Sequence, residues 1–566
     1  MIMLGLYSLM AKFLYFWLVS WTMMQNESAA RVVPPTVFTI ACLIDLGVLF
    51  LLFRGKSYRA ARVGGLLAFN LVFGIFCLGT IMFYRLFGVP LSLDVMGFGQ
   101  DVTEIGDSVR SLLEPMDGTL FAFDLVSMLI LVIPAWRRRF AASDEFFCTI
   151  STKRIVVAIL LLAALWVPFA EPRHSFFEPF TRRDLEGVWT FNPLNYFLLE
   201  VATSLKETCF PSQPDPLVVE NIRREIQARK ERQSQVPKRF PERREPLNVI
   251  LIQMESVMFE VLGAQLQGQS VTPNLDAMAR EGVLLPSYYS PAISTADSEF
   301  SALTSLYPIS NKTVYLNLAH HRFESLPKIL GRSGYATFVT NGSLGRAWNV
   351  RNMHKRLGFQ HQAYFDEYRS GRMTGPWLAD SDLLERVSKR VMHLSQPFFA
   401  FVMLISSHHP FTLTGLPETF AVPAEASAEE KEWIRYCNAV HYTDSAIGEF
   451  LARLRQQGLL ERTLVVAYGD HPIMLKRQFK TLRDLYGGLP SGEKIMRMMN
   501  SRVPGIIYAP GFLSAGTIDR VCSHVDLAPT ILELCGLPPS PVFLGSSVFA
   551  EGPGSTGHKY WVAISS

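Results

Sequence analysis

Side chains that can bind a cation follow three of the apolar runs in this sequence. Glu255 comes shortly after N-V-I-L-I-Q-M, His408 and His409 after F-F-A-F-V-M-L-I, and Asp470 and His471 after T-L-V-V-A-Y. A single acid after a strand usually caps the next helix. Carboxylates combined with imidazoles, however, are a ligand set that suits a divalent cation. The combination therefore predicts a metal site.

A threonine in S-T-A-D-S-E-F (294–300) is the candidate nucleophile. In one interpretation Ser294 or Thr295 caps a helix, while Asp297 and Glu299 complement the helix dipole. In the other, the Thr295 hydroxyl lies where a helix N-terminus holds a phosphoryl group. A hydroxyl is a poor nucleophile at neutral pH, and a bound dication lowers its pKa. The predicted metal site therefore favours the nucleophile.

These side chains need a scaffold that brings distant segments together. After residue 247, short apolar runs alternate with intervals long enough for a helix, and the runs are 248–254, 335–340, 398–405, 463–468 and 504–509. Runs that are apolar on both faces are typical of parallel strands covered by helices on each side. Ligands bind beyond the carboxyl ends of such strands, so one rim is predicted to carry Glu255, His408 and Asp470.

The part before about residue 170 has charges only in short clusters between long apolar runs. The chain has 566 residues, of which 49% are hydrophobic and 18% charged, and this indicates a membrane part followed by a soluble part. The net charge of +4 does not indicate a nucleic-acid partner. Five runs are long enough to cross a bilayer, namely 4–24, 36–53, 64–86, 119–136 and 155–170.

Basic loops predict the orientation of these spans. Segments 54–62 and 137–154 are rich in Lys and Arg, and such loops stay in the cytoplasm. The fifth span then delivers the rest of the chain to the outer face. We therefore predict a transmembrane domain at 1–172, a linker with a juxtamembrane helix at 173–246, and an extracytoplasmic catalytic domain at 247–566.

Four cysteines follow the predicted spans, namely Cys209, Cys437, Cys522 and Cys535. They show neither a C-x-x-C nor a zinc-like spacing. One disulfide is compatible with an oxidising compartment, but no disulfide framework is indicated.

Six motifs in this order resemble those of the lipoteichoic acid synthase and phosphoglycerol transferase family, within the alkaline phosphatase/sulfatase superfamily. They are M-E-S (254–256), T-P-N-L-D (272–276), S-T-A-D-S-E-F (294–300), S-H-H-P-F (407–411), Y-G-D-H-P (468–472) and S-H-V-D-L-A-P-T-I-L-E-L-C-G (523–536). T-P-N-L and D-L-A-P-T mark only the superfamily, whereas the other motifs are specific in combination. The resemblance covers nearly the whole chain, because the family also has five spans, a linker and an exported catalytic domain.

The resemblance implies a role for each matching residue. Glu255, Asp470 and His471 would ligate one divalent metal, Mn²⁺ or Mg²⁺. Thr295 would be both a ligand and the nucleophile, and His408 would hold the glycerophosphate.

The segment N-G-S-L-G-R-A-W-N-V-R-N-M-H-K-R-L-G-F (341–359) departs from the family pattern. The family binds substrate around a W-N-R segment, and here Trp348 is kept while Val350 stands where the arginine is expected. Arg346 or Arg351 is the candidate replacement cation, and a solvent-facing arginine is the alternative. The exact donor head group therefore stays open.

The resemblance implies a phosphoglycerol transferase embedded in a bacterial inner (plasma) membrane. It would move glycerol phosphate from phosphatidylglycerol, through a phospho-threonine-type intermediate, to a glycan, a glycolipid or a polyglycerolphosphate chain. The sequence does not choose among these acceptors, nor between transfer and hydrolysis.

Three other functions can be compared with the sequence, and one of them is excluded. A sulfatase is excluded, because residues 294–299 lack the C/S-x-P-x-R motif that formylglycine formation needs. A phosphoethanolamine transferase using phosphatidylethanolamine stays open, although such enzymes typically carry a cysteine beside the threonine. A catalytically inactive binding module also stays open, because the segment 341–351 is altered.

Overall fold

The structure is a computed structural model, and it describes the second half of the chain most fully. The described residues are 12, 59–87, 115–118, 120, 121, 125, 215–234, 240, 245–292, 294–309, 314–319, 321–345, 347–368, 370–473, 475 and 501–550.

The chain divides into two compact units, with the main boundary between Ser212 and Gln213. In the first unit the described elements are helix α1 (Arg59–Phe87) and a short 3-10 turn (Pro115–Gly118). Within the described ranges, no helix combines the length and the apolar character that crossing a bilayer requires. The predicted span 64–86 lies within α1, and the other four predicted spans lie outside the described residues except at isolated positions.

Eight described strands of the second unit form one sheet. They are β1 (Asn248–Met254), β2 (Val283–Leu284), β3 (Ala336–Asn341), β4 (His361–Ala363), β5 (Phe398–Met403), β6 (Thr463–Gly469), β7 (Gly505–Tyr508) and β8 (Gly516–Thr517). Their spatial order is β8-β2-β7-β6-β1-β5-β3-β4. The five strands from β6 to β4 run parallel, whereas β7 runs antiparallel to both β6 and β2. The predicted α/β fold with a mainly parallel central sheet is confirmed. Four of the five predicted strands are parallel, whereas the fifth, 504–509, forms the antiparallel strand β7, so the prediction of its direction was wrong.

Both faces of this sheet are buried. Successive residues of a strand point to opposite faces. Accordingly, Val249 and Leu251 of β1 belong to one hydrophobic core, whereas Ile250 and Ile252 belong to the other. This double burial explains why the strands are apolar throughout instead of alternating with polar residues.

Helices form the two outer layers. The helices of the second unit are α2 (Pro216–Ser234), α3 (Pro273–Glu281), α4 (Thr295–Thr304), α5 (Leu326–Arg332), α6 (Val350–Leu357), α7 (Asp380–Val391), α8 (Ala428–Gln456) and α9 (Leu527–Leu534), with shorter helical turns at Phe259–Val261, Val314–Asn317, Ala347–Asn349, Phe365–Tyr368, Leu460–Arg462 and His524–Asp526. Helices α4, α5, α6 and α9 pack on the face that contains Val249, and α3, α7 and α8 pack on the face that contains Ile250. Three two-stranded pairs complete the unit: Gln265–Leu266 with Gln269–Ser270, Tyr288–Tyr289 with Cys522–Ser523, and Met373–Thr374 with Trp377–Leu378.

The T-P-N-L segment docks α3 onto α8. The carboxylate of Asp444 in α8 accepts hydrogen bonds from the backbone N–H groups of Asn274 (3.1 Å) and Leu275 (2.7 Å) and from the Asn274 side-chain amide (2.8 Å). These donors belong to the first turn of α3, where backbone N–H groups have no partner within the helix. The motif therefore has a structural role in this chain.

The linker and the cysteines are described in part. Helix α2 lies in the predicted linker, and its Arg229 donates through Nη1 to the carbonyl oxygen of Phe543 (2.8 Å). Cys437, Cys522 and Cys535 are free thiols, and Cys209 lies outside the described residues.

Candidate active site and metal centre

Three strands deliver the candidate site residues to one rim of the sheet. Met254, the last residue of β1, pairs in register with Gly469, the last residue of β6. The residues that follow them, Glu255 and Asp470, therefore leave the sheet side by side. On the other side of β1, Gln253 pairs with Met403, the last residue of β5, whose chain leads on to His408.

Glu255, Asp470 and His471 form a buried cluster at this rim. One ligand atom from each lies within 4.8 Å of the others. Asp470 Oδ1 accepts hydrogen bonds from the backbone N–H groups of Ser256 (2.8 Å) and His471 (2.6 Å). Asp470 Oδ2 has no hydrogen-bond partner within the described part of the chain, although it is buried. A buried carboxylate oxygen without a hydrogen-bond partner lowers the stability of the fold, and a bound cation would provide the missing partner.

The imidazole of His471 directs its Nε2 into this cluster. Its Nδ1 lies 3.1 Å from the carbonyl oxygen of Pro472 and so carries the proton it donates there. Its Nε2 lies 3.5 Å from Glu255 Oε1 and 3.6 Å from Asp470 Oδ2. A lone pair that faces two carboxylate oxygens is repelled unless a positive charge lies between them. The three side chains therefore fit a divalent cation.

The electrostatics of the cluster lead to the same conclusion. Burial, reinforced by the charge of Glu255, raises the pKa of Asp470 to about 8. Burial acts on Glu255 in the same sense, but the charges of His408 and His471, together with hydrogen bonds from the Ser256 and Thr295 hydroxyls, outweigh it and hold the pKa of Glu255 below its usual value. Burial alone would lower the pKa of His471, yet the two carboxylates raise it. The cluster thus holds more negative charge than its protein surroundings compensate.

Thr295 points its hydroxyl into this cluster. Its Oγ1 lies 3.1 Å from Glu255 Oε2 and 3.3 Å from His471 Nε2. The capping residue of α4 is Ser294, whose side chain accepts from the backbone N–H of Asp297. Ser298, one turn into α4, donates to the carbonyl oxygen of Asp470 (2.7 Å) and fixes the helix beside the cluster. The capping interpretation thus applies to Ser294, and the Thr295 hydroxyl is left for other chemistry.

His408 lies at the edge of the cluster. Its ring packs against that of Trp377, with 4.7 Å between the ring centroids. Its Nδ1 lies 2.6 Å from the carbonyl oxygen of His409, so Nε2 is the ring nitrogen left for a ligand. The loop that carries His408 is held by Ser407, whose hydroxyl donates to the carbonyl oxygen of Glu255 (2.6 Å).

The altered segment near Trp348 adopts a strained turn. Trp348 and Asn349 have φ values of 52° and 58°, in the left-handed region that non-glycine residues rarely adopt. Ser256 (φ 54°) and Phe411 (φ 63°), which adjoin Glu255 and the His408 loop, share this conformation. Strain of this kind clusters at functional sites, where the surrounding structure maintains it.

Arg351 is already paired. Its guanidinium donates to Asp366 Oδ2 (2.5 Å) and Glu367 Oε1 (2.6 Å), and it lies over the ring of Tyr364 at 4.7 Å from the centroid. A role in binding phosphate would require Arg351 to release these carboxylates and stays a prediction. Arg346, the other candidate cation, lies outside the described residues.

Sequence reasoning missed two features of this region. Glu299, interpreted as a charge that complements the helix dipole, is instead buried and lies 2.9 Å from His354 Nε2. Trp377 was not singled out at all. Its position directly after the Gly375–Pro376 turn was a weak signal, because its contact with His408 depends on how a short hairpin packs.

Comparison with known proteins is consistent with this geometry. A sulfatase family model matches residues 247–537, more than half of the chain. A model of the lipoteichoic acid synthase N-terminal domain matches residues 1–188. These matches, with the relatives below, identify a phosphotransferase of the alkaline phosphatase/sulfatase superfamily. The chain belongs to the sulfatase family, and its N-terminal part is similar to that of lipoteichoic acid synthases.

Individual relatives are distant but extend over most of the chain. Lipoteichoic acid synthase 2 of Bacillus subtilis (strain 168) is 25% identical over 501 residues, which cover 86% of this chain and 73% of that protein. Lipoteichoic acid synthase of Staphylococcus aureus (strain USA300) is 23% identical over 516 residues, which cover 89% and 77%. Among solved structures, lipoteichoic acid synthase LtaP from Listeria monocytogenes is 24% identical, with a TM-score of 0.47, and the match covers 53% of this chain and 75% of that chain.

Proposed function

We propose that this chain is a membrane-anchored, metal-dependent phosphoglycerol transferase that takes glycerol phosphate from phosphatidylglycerol. The observation that carries the proposal is the position of Thr295. Its hydroxyl lies at the first turn of a helix, 3.1 Å from Glu255 Oε2 and 3.3 Å from His471 Nε2. A helix N-terminus favours a phosphoryl group, and the adjoining carboxylate can accept the hydroxyl proton.

Thr295 is the proposed nucleophile. Its Oγ1 forms a bond to the phosphorus of the donor, and Glu255 Oε2 accepts the proton that Oγ1 loses. The bond between phosphorus and the diacylglycerol oxygen breaks, and the diacylglycerol oxygen takes its proton from solvent water as it leaves. An acceptor hydroxyl then attacks the phosphorus of the glycerophosphoryl-threonine ester and loses its proton to solvent water. The bond between phosphorus and Thr295 Oγ1 breaks, and Glu255 Oε2 returns the proton to Oγ1, which restores the free threonine and the carboxylate.

Glu255, Thr295, Asp470 and His471 are the proposed ligands of one divalent metal, Mn²⁺ or Mg²⁺. When bound, such an ion lowers the pKa of the hydroxyl and neutralises charge on the attacked phosphoryl group. Mg²⁺ prefers oxygen ligands and keeps several waters, whereas the imidazole nitrogen of His471 suits a transition metal. The ligand set therefore favours Mn²⁺.

His408 and Trp348 are proposed to hold the donor head group. His408 keeps its Nε2 available, because Nδ1 is directed to the carbonyl oxygen of His409. Arg351 is the weaker candidate, since Asp366 and Glu367 already engage its guanidinium. Arg346 stays a candidate from sequence alone.

The location of the enzyme is part of the proposal. A transmembrane domain at 1–172 and a linker at 173–246 would tether a catalytic domain at 247–566 to the extracytoplasmic face of a bacterial plasma membrane. The match of residues 1–188 to the lipoteichoic acid synthase N-terminal domain supports this arrangement. Phosphatidylglycerol of the outer leaflet would then be within reach, and the acceptor would be a glycan, a glycolipid or a growing polyglycerolphosphate chain.

Mass spectrometry tests the proposal directly. The purified chain is incubated with Mn²⁺ and phosphatidylglycerol, without an acceptor, and then digested. A glycerophosphoryl adduct is expected on the peptide that contains Thr295, and Thr295→Ala protein is the matched control. An adduct formed only from phosphatidylethanolamine would instead identify a phosphoethanolamine transferase. No adduct from either lipid and no bound metal would indicate an inactive module.

A further inference from the structure

A buried chain of polar side chains links the helix of Thr295 to the segment of Trp348. Glu299 lies one turn after Thr295 in α4, and its Oε2 lies 2.9 Å from Nε2 of His354 in α6. The other ring nitrogen of His354, Nδ1, lies 2.8 Å from the hydroxyl oxygen of Tyr364. Glu299, His354 and Tyr364 are all at most 2% exposed.

Gln362 extends this chain to the backbone of Arg351. With the amide oriented to satisfy its contacts, its nitrogen donates to the Tyr364 hydroxyl (3.0 Å) and to the carbonyl oxygen of Arg351 (3.2 Å). The Tyr364 hydroxyl then donates to His354 Nδ1, and His354 Nε2 donates to Glu299. Each of these donors has an acceptor, which is the condition under which a buried polar network is rigid and not costly.

The same network supports the strained turn. Asn349, which follows Trp348, donates through its side-chain nitrogen to the carbonyl oxygen of Tyr315 (2.8 Å), and the ring of Tyr315 packs edge-on against His354 (5.8 Å between centroids). Two consecutive residues with positive φ persist only where their surroundings hold them. His354 and Tyr315 provide such a support on the side of the turn that faces α4.

We infer that Glu299 and His354 form a positioning pair, which sets the distance between Thr295 and the donor-binding segment at Trp348. The inference rests on the proposed function, because it takes Trp348 to contact the donor. The pair acts through α4 and α6 and not on the substrate. A buried hydrogen-bonded pair adds little net stability compared with apolar side chains of the same volume, so its value lies in the geometry that it imposes.

Loss of the pair should affect some reactions of the enzyme and not others. Ser298 ties α4 to the carbonyl oxygen of Asp470 independently of the pair. Thr295 therefore stays beside the metal cluster when the pair is removed, while the Trp348 segment is released. Loss of the pair should weaken reactions that need the donor head group held in place, and spare reactions that need only the nucleophile and the metal.

Two reactions of the full-length, Mn²⁺-loaded protein separate these effects. One is transfer from phosphatidylglycerol, and the other is hydrolysis of bis(4-nitrophenyl) phosphate, a small diester without a glycerol head group. Since misplacement by about 1 Å can cost on the order of a hundredfold, Glu299→Ala and His354→Ala should lower kcat/KM for transfer by about ten- to a hundredfold, mainly through KM. Diester hydrolysis should change by less than about threefold, and Glu299→Gln, which keeps an acceptor for His354, should recover most of the transfer.

Asp444→Ala is the matched control, because it removes a buried carboxylate that joins α3 to α8. The pair is merely structural if Asp444→Ala raises the KM for phosphatidylglycerol as much as the Glu299 and His354 variants do, among variants of equal thermal stability. The same conclusion follows if transfer and diester hydrolysis fall together in the Glu299 and His354 variants. A wild type that hydrolyses the small diester but transfers nothing from phosphatidylglycerol contradicts the proposed function instead. In that case the positioning role of the pair is tested by measuring transfer from phosphatidylethanolamine and diester hydrolysis in the same variants. If the wild-type protein is inactive on every diester, both the proposed function and the positioning role of the pair are wrong.

Discussion

The hydroxyl of Thr295 donates to the carboxylate of Glu255 across 3.1 Å. The two residues are 40 positions apart in the chain. Thr295 can make this contact because Ser294 caps α4, and the hydroxyl next in sequence is free to face the cluster. Adjacent hydroxyls with different partners therefore allow capping and chemistry to be tested separately.

Thr295→Ala should abolish transfer, to below about 1% of the wild-type rate, because no other side chain replaces an attacking oxygen. Ser294→Ala should lower the free energy of unfolding by about 1 kcal/mol, as loss of a helix cap does, and keep most of the activity. Turnover of phosphatidylglycerol and thermal unfolding are measured on both variants. Residual activity of a few per cent or more in Thr295→Ala would remove Thr295 from its role.

Asp470→Asn should eliminate metal binding without unfolding the domain. The amide oxygen can still accept the backbone N–H groups of Ser256 and His471, and the repulsion from Glu255 that helps raise the pKa of Asp470 is removed. We expect EDTA to lower the Tm of the wild type but not that of the variant, because a ligand stabilises only a protein that binds it. An equal EDTA effect on both proteins would place the metal elsewhere.

Metal affinity should rise with pH. Because the pKa of Asp470 in the metal-free cluster is raised to about 8, a proton occupies the carboxylate below that pH and competes with the ion. His471, whose pKa is also raised, acts in the same direction. Calorimetric titration with Mn²⁺ at pH 6.5, 7.5 and 8.5 should show increasing affinity and proton release on binding. A flat profile would mean that Asp470 is already ionised across this range.

Arg351→Gln should have little effect on substrate binding. The guanidinium is engaged by Asp366 and Glu367 near the surface, and exposed ion pairs of this kind contribute about 0–1 kcal/mol. The KM for phosphatidylglycerol should therefore change by less than about fivefold, the factor that corresponds to about 1 kcal/mol. Trp348→Ala, measured in parallel, should change it more. The reverse order would establish Arg351 as the phosphate-binding cation.

The strands and the rim could be predicted because their signals are local. Runs such as N-V-I-L-I-Q-M are apolar on both faces, and a parallel strand between two helical layers is buried on both faces. Once β1 and β6 are assigned as parallel, Glu255 and Asp470 must leave the same edge of the sheet. The predicted assembly of these residues thus followed from the order of strands and polar residues.

The partners of several side chains could not be predicted, because they depend on packing between distant segments. Glu299 stands in a helix N-terminus, where an acid normally complements the dipole, and only the fold shows His354 against it, 55 residues away. Arg351 looks like a free cation in the sequence. Its pairing with Asp366 and Glu367 depends on how the chain returns after α6.

The register between β1 and β6 has a consequence for how the enzyme matures. The hydrogen bond from the Ser256 N–H to Asp470 joins residues 214 positions apart, so the two halves of the candidate cation site are distant in the sequence. In a chain that is synthesised from its N-terminus, Glu255 and Thr295 are present long before Asp470. Strand β6 must therefore be added to the sheet before the complete set of cation ligands exists. Under the proposed function, retention of the divalent cation reports completed folding, and chains truncated before β6 should bind none.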